Sequence, residues 1–125
     1  MATALSIRQD LATVTAGVFP TWAVYAAPPE AINGPSIVIA PRVPYRRRSD
    51  YCAQEVQLRV TLLVPRTTGA AGLDLLDTAC DTWVSNVADY YADVTWESVD
   101  EIGTTVEVGA IEYITAGINA VAYVR

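Results

Sequence analysis

Between Val56 and Val64 the chain alternates: Val56, Leu58, Val60, Leu62 and Val64 are apolar, and Gln57, Arg59 and Thr61 between them are polar. Successive side chains of an extended chain point to opposite faces, so this stretch is one long strand with one face in a core and one in water. Leu63 alone breaks the pattern. A strand of this kind needs neighbouring strands and a second layer packed on its apolar face.

The flanking segments supply both. Ile7, Leu11, Val14 and Val18 line one face of a helix over about 4–18. Phe19-Pro20 ends it, because proline restricts the residue before it. Trp22 to Ala26 reads as a short strand stopped by Pro28-Pro29, and Asn33-Gly34-Pro35 as a turn. The β-branched run Ser36 to Ala40 is a strand covered on both faces. The stretch RVPYRRRS, Arg42 to Ser49, is too charged for a core and carries proline, which predicts a loop or extended arm at about 41–51.

After the long strand, Thr67-Thr68-Gly69 offers a helix cap. The helix predicted over about 70–91 places Leu73, Leu76, Cys80, Trp83, Val84, Val87 and Tyr91 on one side and Asp74, Asp77, Asp81 and Asp89 elsewhere. Strands follow near 94–99, 104–112 and 117–124. Gly109 stands where the alternation changes phase, which suggests a bulge. Ile118 to Val124 is apolar on both faces, as a central strand should be. The expected architecture is one α+β domain over 1–125, a mixed, mostly antiparallel sheet with two helices packed on it.

Composition narrows the function. Hydrophobic residues make up 52% of the 125, and charged residues only 18%. Low charge favours a chain that hides part of its surface against a partner. The net charge of −6 argues against free nucleic-acid binding, which depends on phosphate neutralisation. All eight basic residues are arginine; a GC-rich genome accounts for this more simply than selection for arginine chemistry. No apolar run approaches the ~20 residues of a membrane helix, and MATALSIRQD lacks the pattern of a signal peptide. Cys52 and Cys80 are too far apart for a CxxC motif and read as buried free thiols.

The residues of familiar catalytic sites are missing. Without histidine there is no Ser-His-Asp or Cys-His arrangement, and without lysine no Walker A loop. No metal or cofactor site is expected, and the chain is not expected to be an enzyme; paired carboxylates alone are too common to indicate one. Two charged features remain. Arg42, Arg46, Arg47 and Arg48, with Tyr45 among them, form an inter-subunit clamp, a solvated loop or a contact to DNA phosphates. Asp74, Asp77 and Asp81 form a wet helix face, a docking strip for arginine of another subunit or, less suitably, a cation site. A different class of function would use Trp22, Trp83, Trp96 and the tyrosines to line a ligand pocket, although Trp83 lies on the apolar side of its helix.

Several segments in this order resemble the tail terminator (tail completion) proteins of long-tailed bacteriophages: AAPPEAINGPSIVIAP after an N-terminal helix, the arginine-containing loop, EVQLRVTLLVP, the helix GLDLLDTACDTWV, and the closing strands TVEVGAIEY and GINAVAYVR. The resemblance spans nearly the whole chain and rests on architecture, not on a diagnostic motif. It implies a virion protein without cofactor or catalysis, assembled in the host cytoplasm as a homohexameric ring on the last ring of the tail tube. Such a ring stops tube polymerisation and docks the head-side connector or head-completion protein, while genomic DNA passes through its lumen. A head-completion protein or tail tube subunit is the nearest alternative.

Overall fold

The computed structural model describes residues 4–27, 29, 32, 34–48, 54–66, 71–88, 94–109 and 111–124. Among these, helix α1 (Ala4–Val18) is followed by strands β1 (Ala23–Tyr25), β2 (Ser36–Arg48) and β3 (Gln54–Pro65). Helix α2 (Ala71–Trp83) runs into a π-helical turn, Val84–Ala88, before β4 (Val94–Val108) and β5 (Ile111–Val124) close the chain.

The long alternating strand is the centre of the sheet, whose order is β1-β2-β3-β5-β4. β1 runs parallel to β2, and every other neighbouring pair is antiparallel. The fold is therefore α+β, with one mixed, mostly antiparallel sheet. Val56, Leu58, Val60, Leu62 and Val64 point to the face that both helices cover. They meet Ile7 and Leu11 of α1 and Leu76, Ala79, Cys80 and Trp83 of α2 in one cluster. On β5 this face carries Ala116, Ile118, Ala120 and Ala122, and the three alanines let the helices lie close.

One buried polar residue in this core has a definite reason. Thr15 of α1 is fully buried and accepts a hydrogen bond from the indole Nε1 of Trp83 at 3.2 Å. A buried indole N–H without an acceptor would cost about 1–3 kcal/mol, so the pair fixes how α1 lies against α2. The amide of Phe19 donates to the carbonyl of Thr15 at 2.9 Å, which closes α1 just before Pro20. Phe19 then packs edge-on against Trp22, with ring centroids 5.5 Å apart.

Leu63, which breaks the alternation, is buried on the opposite face with Val38 and Tyr113 in a second, smaller cluster. The Tyr113 hydroxyl donates to the carbonyl of Ile32 at 2.9 Å. The face without helices thus has its own apolar patch at one end of the sheet.

Three local expectations change. The arginine-bearing stretch does not leave the sheet: β2 continues to Arg48, with Arg46, Arg47 and Arg48 in register with Val56, Glu55 and Gln54 of β3. The pairing slips between Pro41 and Arg46, where four residues of β2 face only Gln57 of β3. Proline there removes ladder donors, so the strand bulges and then resumes. Residues 49–51 of the expected arm lie outside the described residues.

The tail forms two long strands, not three. Gly109, with φ 64°, is in the hairpin turn that joins paired residues Val108 and Ile111, and is not a bulge within a strand. The irregularity lies earlier, where Glu101, Ile102 and Gly103 oppose Ala116 alone. Glu101 and Gly103 both take left-handed backbone there, with φ 54° and 85°. The cap expected at Thr67-Thr68-Gly69, as well as Cys52 and Tyr91, lies outside the described residues.

Candidate functional site

Arg59 is a polar-face residue of β3, directly across from Asn119 of β5. Its guanidinium lies over the β5 backbone at Gly117, where any Cβ would overlap Nη2 and Cζ of the arginine. From there Nη1 donates to Asn119 Oδ1 at 3.0 Å. Nη2 donates to Asp100 Oδ1 at 2.8 Å and to Glu101 Oε2 at 3.0 Å, both on the edge strand β4. The Asn119 amide donates to Asp100 Oδ2 at 2.8 Å and to Ser98 Oγ at 2.9 Å. Three strands are thus bolted together on the face that no described helix covers.

The bulge of β4 makes this possible. Its left-handed Glu101 turns a second carboxylate toward the same arginine that Asp100 holds. The hydrogen bond from Arg59 is the main reason the Asp100 carboxyl sits below its ordinary range; Asn119 and the charges of Arg59 and Arg42 act in the same direction, against partial burial. Asp100 is therefore an ionised structural partner at neutral pH, unlike a carboxyl raised for proton donation.

Beside this network Arg42 of β2 reaches across β3. Its Nη1 donates to Glu97 Oε2 of β4 at 3.2 Å and its Nη2 to the carbonyl of Ala120 at 3.4 Å. Among the described residues its Nε is buried without a partner, and so is Nε2 of Gln57 nearby on β3. Arg66 closes the far end with Glu112 at 2.8 Å.

The outer edge of β4 has no strand beside it among the described residues. Trp96, Val99, Ile102 and Val106 on this strand are 37–44% exposed, and Ile111 beyond the hairpin is similarly open. Glu107 has no cation partner among the described residues and stands opposite Glu112 in the register. An edge strand of fifteen residues with four exposed apolar side chains is a surface ready to pair with another chain.

The expected site residues are dispersed. Arg42 is engaged inside its own chain. Tyr45, Arg46, Arg47 and Arg48 belong to the β2 backbone described above, with Tyr45 in its irregular stretch. Asp74, Asp77 and Asp81 are exposed on α2. Asp77 and Asp81 flank buried Cys80; burial first, then these two charges, push its thiol up to about 11, so it stays protonated and unreactive at neutral pH. Among the described residues no group of three or more acidic, cysteine or histidine side chains is placed to hold a metal ion.

The three tryptophans do not share a pocket. Trp83 is fully buried in the core, Trp22 packs on Phe19, and Trp96 is exposed on β4. No helix among the described residues is long and apolar enough to cross a membrane. Sequence reasoning missed Arg59, Asp100, Glu101, Asn119 and Gly117 as a group, because only the strand order β3-β5-β4 brings them together. The available signal was an arginine in the polar phase of β3 and a glycine within an otherwise apolar strand. No protein-family model matches the chain, and a search of curated proteins finds no match.

Proposed function

We propose that this chain is a structural subunit that assembles with its own copies into a ring and caps the tail tube of a long-tailed bacteriophage. The observation that carries this reading is the β4 edge, with Trp96, Val99, Ile102 and Val106 exposed along a backbone that no other strand pairs on its outer side among the described residues. Soluble chains that work alone shorten, cover or charge such an edge throughout, because it recruits other strands. Here the Arg59 network holds β4 rigidly to the sheet, so the edge is offered in one geometry and little ordering is needed on contact.

A capping subunit has to bind the growing end of a tube on one side and present a different surface on the other. A ring of identical subunits does this through head-to-tail contacts, which close without exposing a further site. A net charge of −6 per copy suits a ring around DNA, since an acidic lumen repels phosphates and lets the duplex slide. The segment resemblance supplies the tail-tube partner and the head-side connector.

Negative-stain electron microscopy of the purified chain, alone and mixed with tail tubes, tests the proposal. Rings with a central hole of duplex width, and decoration confined to one end of each tube, are the expected result. Long tubes made by the chain itself would identify a tube subunit instead. Chains that remain single at every concentration and ignore tubes would overturn the reading.

A further inference from the structure

We draw no further inference here: the strongest candidate, the surface patch that Leu73 of α2 and Trp96, Val99 and Ile102 of β4 leave exposed beside the outer edge of the sheet, is an apolar face with no partner among the described residues, and nothing in the structure shows what covers it.

Discussion

Gly117 is the residue on which the sheet's polar face turns, and Gly117→Ala measures it. The backbone tolerates alanine, since no left-handed conformation is needed there, but the new Cβ would overlap the Arg59 guanidinium. A strand cannot retreat from the middle of a sheet, so the arginine must leave. It then loses hydrogen bonds to Asn119, Asp100 and Glu101. Charge-assisted bonds contribute about 1.5–3 kcal/mol each when dry. Arg59 is 28% exposed and its carboxylate partners 43% and 67%, so solvent screens much of that. A loss of about 2 kcal/mol follows, mainly from the contact with buried Asn119 and the better-formed pair with Asp100. With a urea m-value of about 1.5 kcal/mol/M, the unfolding midpoint falls by about 1.3 M. The decisive measurement is the cycle with Arg59→Ala. In that background the three atoms nearest the new Cβ, all of Arg59, are gone, and Gly117→Ala becomes neutral or stabilising by about 0.5 kcal/mol, because glycine loses more freedom on folding. A coupling of about 2 kcal/mol is therefore expected. Equal costs of Gly117→Ala with and without Arg59 would refute the close approach of guanidinium and backbone.

Other consequences are open to measurement. Because the Asp100 carboxyl is lowered in the fold from its ordinary 3.8, its contribution to stability is present above that value and is lost as pH falls through the lower folded value. Asp100→Asn should flatten the acid limb of a midpoint-against-pH curve, and an unchanged slope would contradict the assignment. Thr15→Val leaves the Trp83 indole without its acceptor and should cost about 1–3 kcal/mol, whereas Thr15→Ser should cost markedly less; equal losses in urea titrations would argue against the hydrogen bond. In a Cys52→Ser background, Cys80 should resist a thiol reagent at neutral pH until the chain unfolds, given a thiol raised to about 11; labelling of the native protein at the rate of a free thiol would refute this.

The elements that were legible in the sequence are those set by local period. The alternation from Val56 to Val64 marks β3, the spacing of Ile7 and Leu11 marks α1, and Leu76, Cys80 and Trp83 mark the buried side of α2. Double-sided apolar character places Ile118 to Val124 within the sheet, between β3 and β4, and Ile118 to Ala122 are buried while Tyr123 is exposed. Leu73 illustrates the limit: it lies in phase with the apolar side of α2 yet is exposed near Gly103, because the helix begins past the body of the core. The arginine stretch misled for a physical reason. Charge and proline argue against a buried strand but not against an edge strand, where both are common. The Arg59 network was illegible because its partners lie about 40 and 60 positions away along the chain, at Asp100 and Asn119. Register, fixed by the apolar faces of β3 and β5, brings them together, and a single sequence carries no direct record of register.

Among the described residues β4 has no strand on its outer side, and β1 covers β2 only as far as Val38; these two edges share a construction that bears on how such a sheet avoids indiscriminate pairing. Each combines an irregular half with a regular one. In β4 the bulge at Glu101 to Gly103 breaks the outer ladder, and regular strand resumes from Thr104 to Val108. In β2 the slip between Pro41 and Arg46 does the same before the register with β3 resumes at Arg46 to Arg48. A left-handed glutamate costs about 1 kcal/mol, and the ion pair between Glu101 and Arg59 offsets it, so the bulge is maintained by the same network that stiffens β4. An incoming strand of arbitrary sequence meets a short usable ladder of one charge sign on either side. Only a partner with the opposite sign in the matching half gains both the backbone bonds and the charge pairing.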